Sequence, residues 1–266
     1  MNKIDLSLLI CAHIDTKYSD LISTLTSIFK QKHVPSEIIF IKNGPLSENN
    51  FNLIKEFLVE KSNLKLITIN KNIGLAKALN KGIRLSKYNY IGRVDPGVKI
   101  IKDRFFKQIN FLKENKDVSV CGSFANENYY SHKRCIKKPV KHIEIIKNIK
   151  FQNPLIHSSV IFNKKDIIKI GYYPIISKCQ DYFLWVKCVE KRLKFFNLPI
   201  PLIEINLSED LMKRRSFDYF LSEITIYKYM FNKNMINIFN YTYLISSRFI
   251  LRIMPNFLKI FIYNLR

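Results

Sequence analysis

Residues 64–95 read LKLITINKNIGLAKALNKGIRLSKYNYIGRVD, and this stretch decides the fold class. The apolar run at residues 64–69 predicts a buried strand, and the run at residues 88–94 predicts a second one. Between them, small and apolar residues recur at the spacing of one helix face: Leu75, Ala78, Leu79, Gly82 and Ile83. A strand, a helix and a strand in this order predict two parallel strands joined by a crossover helix.

The same alternation continues toward the N-terminus. Apolar runs at residues 6–12 and 38–41 predict two earlier strands, and a helix-spaced apolar pattern follows each of them. Strands that are apolar throughout belong to sheets covered by helices on both faces. We therefore predict an α/β fold with a central, mostly parallel sheet flanked by helices. Ligands of such sheets bind outside the carboxyl ends of the strands.

Composition limits the classes of function. The chain has 266 residues, 47% of them hydrophobic, which is enough for one main domain with a core and a small extension. Its net charge of +23 favours anionic lipid or phosphorylated ligands, although a solvated basic surface explains it equally well. No nucleic-acid recognition motif accompanies the charge, so we expect no nucleic-acid partner.

Two further sequence features indicate a cytoplasmic protein. The five cysteines are scattered without zinc-ligand spacing, which fits a reducing compartment. The apolar run at residues 4–12 is short and interrupted by Asp5, so it is read as a buried strand and not as a signal peptide.

Polar residues follow three of the predicted strands. Asn43 and Gly44 come after the second strand, Asn72 and Gly74 after the third, and Asp95 after the fourth. Such convergence predicts a binding crevice, although Asn and Gly are also ordinary turn formers. The first strand is not followed by Gly-x-Gly-x-x-Gly, and no Gly-Lys-Ser/Thr loop is present, which argues against dinucleotide and P-loop sites.

Three blocks in this order resemble family 2 glycosyltransferases. They are residues 72–95, the Asn153-Pro-Leu-Ile-His157 segment and the Gln180-Asp181-Tyr-Phe-Leu-Trp185 segment. The resemblance spans about residues 4–215 and implies the GT-A nucleotide-diphospho-sugar transferase fold. It implies inverting transfer of a hexose or N-acetylhexosamine from a nucleotide-sugar, such as a UDP-sugar, to a lipid-linked saccharide in bacterial O-antigen or capsule biosynthesis.

The resemblance also assigns roles to individual residues. Asp181 is expected to be the catalytic base, since an acceptor hydroxyl must lose a proton as it attacks. His157 and Trp185 are expected to contact the acceptor. The nucleotide-sugar is expected to contact Ala12, His13, Asn43, Asn72, Gly74, Lys77, Arg93 and Asp95. Taken alone, Asp181 also suits a helix N-cap and His157 suits a structural histidine.

The chain departs from the family pattern at its metal site. Where the family has Asp-x-Asp, this sequence has Asp95-Pro96-Gly97, and neutral Asn43 and Gln180 replace two further acids. We expect Mn²⁺ or Mg²⁺ to bind Asp95, with Gly97 at the position of the second ligand. The alternative is a degenerate, non-catalytic GT-A subunit of a glycan assembly complex.

The division predicted for the chain is a GT-A domain at residues 1–215 and an extension at residues 216–266. Within the domain, residues 1–100 are the nucleotide-sugar-binding half and residues 101–215 the acceptor-binding half. The extension has no acid after Glu223, and its longest uncharged run, residues 234–247, is shorter than the roughly 18 residues that span a bilayer.

The composition of residues 216–266 predicts a basic amphipathic helical segment. Aromatic, aliphatic and basic residues together suit an interfacial helix on anionic lipid, or a helix packed on the domain. We therefore expect a protein peripheral on the inner face of the cell membrane. The resemblance to family 2 glycosyltransferases implies a polyprenyl-diphosphate-linked saccharide as its acceptor.

Overall fold

A computed structural model describes residues 2–129, 132–206 and 217–254 of the chain. The strands in these ranges are β1 (Asn2–Ala12), β2 (His33–Asn43), β3 (Leu64–Ile69), β4 (Tyr90–Val94), β5 (Val98–Ile100), β6 (Val118–Tyr129), β7 (His132–Ile136), β8 (Ile161–Asn163) and β9 (Lys194–Asn206). The helices are α1 (Tyr18–Phe29), α2 (Glu48–Glu60), α3 (Leu75–Leu85), α4 (Arg104–Glu114), α5 (His142–Asn148), α6 (Lys164–Lys169), α7 (Gln180–Glu190), α8 (Phe217–Asn232) and α9 (Ile238–Ile253).

These strands form one sheet in the order β3-β2-β1-β4-β8-β6-β9-β5, with β7 beside β6. In the first half, β1 pairs in parallel with both β2 and β4, and β2 pairs in parallel with β3. The chain runs outward from β1 to β3 and then returns to the other side of β1 as β4. This reversal opens a crevice at the carboxyl ends of β1 and β4, which is where open α/β sheets bind ligands.

The second half of the sheet is mixed, so the parallel arrangement predicted from the first half does not extend through it. Strand β8 pairs antiparallel with β4 and with β6, whereas β6 pairs in parallel with β9. The apolar character of residues 157–162 favours a strand, but His157–Ser159 form a 3-10 helix. The Ser159 hydroxyl donates to the carbonyl oxygen of Ile156 at 2.8 Å. This local bond competes with strand pairing, which begins only at Ile161.

The core lies on both faces of the sheet, as strands that are apolar throughout require. Along β1, Leu8 and Ile10 pack on the face covered by α1, α2 and α4. Leu9 and Cys11 pack on the opposite face, which α3 and α7 cover. Successive side chains of a strand point to opposite faces, so β1 holds both layers together and fixes the position of its carboxyl end.

The first helix of the C-terminal extension packs on the domain. Ile226, Tyr227 and Met230 of α8 are buried in the same cluster as Trp185 of α7. The boundary predicted at residues 215 and 216, and the basic residues Lys259 and Arg266, lie outside the described residues. None of the helices in the described ranges combines the length and the hydropathy needed to cross a bilayer.

Two arginines of the extension pair with a carboxylate of α8. Arg252 donates to the Glu223 carboxylate at 2.7 Å, and Arg248 lies 3.6 Å from its other oxygen. Both guanidinium groups therefore bind groups of the protein itself, and Arg248 also donates to the carbonyl oxygen of Phe151 at 2.6 Å. The reason is that Glu223 is largely buried, and a buried carboxylate needs a positively charged partner.

Candidate active site

The loops after the four parallel strands meet at one edge of the sheet. They bring together the residues that follow β1, β2, β3 and β4, among them His13, Asn43, Asn72 and Asp95. Ala12 ends β1 and is buried, whereas the side chain of His13 is 45% exposed at the mouth of the crevice. Lys77 is exposed on the first turn of α3. The predicted nucleotide-sugar residues of the first half thus share one edge.

Asn43 and Asn72 join two of these loops to each other. The Asn43 amide nitrogen donates to Asn72 Oδ1 at 3.0 Å, and its oxygen accepts from the backbone N–H of Ile73 at 3.0 Å. Asn72 Oδ1 also accepts from the N–H of Gly74 at 2.9 Å. Asn43 is only 2% exposed. Its predicted contact with the nucleotide is therefore corrected to a role in shaping the loop at Asn72, because the side chain is buried and binds that loop at both ends of its amide.

Arg93 and Asp95 form the centre of the crevice. The Arg93 side chain is 1% exposed, forms an ion pair with Asp95 Oδ1 and donates to the carbonyl oxygen of Val94 at 2.6 Å. Ser158 donates to the other Asp95 oxygen. Burial raises the pKa of Asp95, but the charge of Arg93 and the hydrogen bonds from Ser158 and Arg93 lower it by more, so the carboxylate is ionised. The direct donor contact expected of Arg93 is thus replaced by a contact that holds Asp95.

Arg104, on α4, was not identified from the sequence. It is fully buried, and its guanidinium donates to the carbonyl oxygens of Ser158 at 2.8 Å, Arg93 at 2.9 Å and Val160 at 3.2 Å. One planar group therefore ties the end of β4 to the segment that carries His157. Its only signal in the sequence is an arginine near the start of an amphipathic helix, which is usually an exposed position.

His157 lies between the two halves of the site. Its Nε2 is 2.9 Å from the hydroxyl of Tyr173, and its ring meets that of Trp185 edge-on with the centroids 6.4 Å apart. Burial and the charge of Arg93 lower the pKa of His157, opposed by Asp181 and Asp95, so the imidazole is neutral near pH 7. Trp185 has no exposed surface. Its predicted acceptor contact is therefore corrected to packing beneath His157.

Asp181 is the second residue of α7 and does not cap it. The N-cap is Cys179, so the N-cap alternative for Asp181 is excluded. The Asn153 amide donates to Asp181 Oδ2 at 2.7 Å, whereas Oδ1 accepts no hydrogen bond from the described residues. Asn153 thus fixes the carboxylate and leaves one oxygen available. Asn153, Ser158 and Tyr173 are site residues that the sequence interpretation did not assign.

The residues around Asp95 are suited to a divalent cation that also binds phosphate oxygens. The described residues contain no group of three His, Cys, Asp or Glu side chains that would hold a metal unaided. Mg²⁺ and similar hard cations, however, use one or two carboxylates together with substrate phosphates. Asp95 is 38% exposed, and the carboxylate of Asp20 lies against Gly97. Two carboxylates therefore stand at this edge, and the donor set fits the ion.

The family model named Glycosyl transferase family 2 matches residues 7–170, which is more than half of the chain. The chain belongs to this family. It is a glycosyltransferase, and its resemblance to the family at the sequence level is confirmed. The match covers the parallel half of the sheet and the segment from Asn153 to His157.

Two curated relatives match this family 2 glycosyltransferase along nearly its whole length. One is the amylovoran biosynthesis glycosyltransferase AmsE of Erwinia amylovora, 28% identical over 263 residues and covered over 97% of both chains. The other is the UDP-Gal:alpha-D-GlcNAc-diphosphoundecaprenol beta-1,3-galactosyltransferase of Escherichia coli. It is 28% identical over 261 residues, which are 97% of this chain and 94% of that protein.

Solved structures confirm the GT-A fold of this family 2 chain. One is the mannosyltransferase PcManGT from Pyrobaculum calidifontis in complex with GDP-Man and Mn²⁺, with a TM-score of 0.66. Its sequence identity is 10%, and the alignment covers 94% of this chain and 70% of that one. At this identity the likeness concerns the fold alone.

Proposed function

We propose that this glycosyltransferase moves a hexose or an N-acetylhexosamine from a UDP-sugar to a saccharide carried on polyprenyl diphosphate. The transfer inverts the anomeric carbon and serves bacterial surface polysaccharide biosynthesis. The name of the Escherichia coli relative, which includes UDP-Gal and a diphosphoundecaprenol acceptor, supports both substrates. The observation that carries the proposal is that the segment around His157 binds both carboxylates: Ser158 donates to Asp95, and Asn153 donates to Asp181 at 2.7 Å.

The donor is held on the side of Asp95. Helix α3 begins at Leu75 without a side-chain cap, so its first N–H groups are free to bind phosphate oxygens, and Lys77 stands on the same end. His13, at the end of β1, completes the mouth of the crevice. A bound Mn²⁺ or Mg²⁺ on Asp95 would supply further positive charge for the diphosphate leaving group. The residues of the chain itself bind and orient that group.

The acceptor is held on the side of Asp181. Its Oδ1 accepts the proton of the attacking hydroxyl, while the hydrogen bond from Asn153 keeps the carboxylate in place. His157 is neutral, so it donates or accepts a hydrogen bond at the acceptor and adds no charge. The acceptor hydroxyl attacks the anomeric carbon in a single displacement, from the side opposite the leaving group. This inverts the configuration.

The lipid part of the acceptor is proposed to approach through α9. Its exposed residues occupy one continuous face that contains no charged side chain: Ile238, Phe239, Thr242, Tyr243, Ser246, Phe249, Ile250 and Ile253. Apolar and aromatic residues on one helix face suit the interface of a bilayer. Together with the net charge of +23, this face supports a peripheral position on an anionic inner membrane surface.

The test is transfer from a panel of UDP-sugars to a synthetic lipid-diphosphate sugar. Asp181→Asn keeps the shape of the side chain but removes the base, so kcat should fall by roughly 10² to 10⁴-fold. Asp117→Asn is the control, because Asp117 is an exposed carboxylate that pairs with Lys194. Full activity of Asp181→Asn would contradict the assignment. A folded wild-type protein that transfers none of the sugars would favour the non-catalytic subunit.

A further inference from the structure

We infer that Asp20 supplies the second carboxylate of the metal site, in place of the acidic side chain that Gly97 lacks. The inference rests on the proposed function, since it concerns the same donor site. It differs from the family pattern, in which both carboxylates come from the loop after β4. Here one would come from that loop and the other from the first turn of α1.

The geometry at Gly97 carries this inference. A Cβ atom placed on Gly97 would lie 3.3 Å from Asp20 Cγ and 3.5 and 3.6 Å from its two oxygens. The Asp20 carboxylate therefore lies against the point from which a side chain of residue 97 would start. Residue 97 therefore has no acidic side chain at a point where the carboxylate of Asp20, from α1, already lies.

Hydrogen bonds fix α1 against the loop that carries Asp95. The N–H of Gly97 donates to the carbonyl oxygen of Asp20 at 3.2 Å and to Thr24 Oγ1 at 3.0 Å. The Thr24 hydroxyl in turn donates to the carbonyl oxygen of Asp95 at 3.4 Å. The backbones of Asp20 and Asp95 are thus linked through Gly97 and Thr24.

The Asp20 carboxylate is available for a cation. It forms no hydrogen bond or ion pair with the described residues, and it is partly exposed. An acid in the first turn of a helix also interacts favourably with the helix dipole, which accounts for Asp20 without any metal. The two roles differ in what they predict for metal affinity, because the dipole interaction does not require Mn²⁺.

Binding of Mn²⁺ separates the two roles without any measurement of activity. The electron paramagnetic resonance signal of free Mn²⁺ is followed as protein is added in the presence of UDP. Asp20→Asn should weaken Mn²⁺ binding by at least about tenfold, since even indirect partners of a metal contribute that much. Asp218→Asn is the matched control, because Asp218 is the acid in the first turn of α8. It should bind Mn²⁺ like the wild type.

A second variant tests whether a carboxylate at position 97 can replace the carboxylate of Asp20 as a metal ligand. Gly97→Asp alone should not tighten Mn²⁺ binding, because it forces a second carboxylate beside Asp20 and adopts a φ of 91°. Combined with Asp20→Ala, which removes the obstruction, Gly97→Asp should recover part of the lost affinity. Melting temperatures measured without metal show whether each variant is folded.

The results separate this inference from the proposed function. The role of Asp20 is overturned if Asp20→Asn binds Mn²⁺ as tightly as the wild type. It is also overturned if the wild type binds no Mn²⁺ in the presence of UDP. Sugar transfer that persists in EDTA overturns it too, while leaving the transferase intact. Loss of transfer in Asp181→Asn with unchanged Mn²⁺ binding separates the base from the metal site.

Discussion

Individual residues in this site owe their chemistry to the charges around them. His157 stands between the ion pair of Arg93 with Asp95 and the carboxylate of Asp181, and its ring is packed on Trp185. Burial and Arg93 together outweigh the two carboxylates and keep the imidazole neutral. A neutral imidazole offers both a donor and an acceptor, which suits contact with a sugar hydroxyl.

The lowered pKa of His157 predicts how stability changes with pH. The unfolded chain gains a proton at this histidine near pH 6.5, whereas the native protein resists it to lower pH. The contribution of His157 is therefore complete above pH 6.5 and is lost as the pH falls below that value. The urea midpoint of the wild type should fall between pH 7 and pH 5 more steeply than that of His157→Gln.

The pH dependence of the urea midpoint also needs a control variant and an account of a second, partly buried histidine. His13→Gln removes an exposed imidazole and should keep the wild-type slope. His142 also has a lowered pKa, through burial and the charge of Lys194, so part of the slope should remain in His157→Gln. Identical slopes for the wild type and His157→Gln would contradict the prediction.

At the scale of elements, α4 connects the end of β4 to the segment that carries His157. Arg104 is the first residue of this helix, and its position under the sheet depends on the burial of Phe105 and Ile109 beside it. Its guanidinium reaches three carbonyl oxygens on two segments, and its Nε donates to Gln108 at 2.9 Å. The helix thereby sets the distance between the end of β4 and the 3-10 helix that carries His157.

Arg104→Lys tests this role. The single ammonium group of lysine cannot satisfy all of these carbonyl oxygens, so the free energy of unfolding should fall by about 2–3 kcal/mol. Urea unfolding measures the change. Lys107→Ala, an exposed substitution on the same helix, should stay within about 0.5 kcal/mol of the wild type. A loss for Arg104→Lys no larger than for this control would contradict the role of Arg104.

At the scale of the whole molecule, the charge and the exposed apolar face of α9 act together on a membrane. The net charge of +23 gives a general attraction to anionic lipid, which salt screens. The face of α9 adds contacts that salt does not screen, because its exposed side chains are uncharged and mostly apolar. Arg248 and Arg252 contribute little to the attraction, since Glu223 pairs with both.

Vesicle flotation measures both contributions. Phe239→Ser removes a ring that is 80% exposed on α9, so partition onto phosphatidylglycerol vesicles should fall about tenfold. Val59→Ser, at a residue 88% exposed on α2, is the matched control and should bind like the wild type. Added salt should weaken both variants. Equal binding of the two variants would contradict a membrane role for α9.

Local patterns of the sequence determined the fold class and the family. The apolar run at residues 64–69 coincides with β3, and the stripe from Leu75 to Ile83 lies within α3. These features could be predicted because strand and helix periodicity depend on neighbours a few residues apart. The block around Asp181 also placed this residue near the start of a helix, where it lies.

Only the tertiary structure decided what each polar side chain contacts. Asn43 is engaged by Asn72, Trp185 is buried under His157, and the Asp20 carboxylate lies beside Gly97. These partners are far apart in the chain and come together only when α1, β2 and α7 pack around the sheet. Periodicity reports which face of an element is buried, but it carries no information on which distant residue will stand opposite. For this reason the sequence by itself identified the transferase, whereas the arrangement of its carboxylates followed from packing.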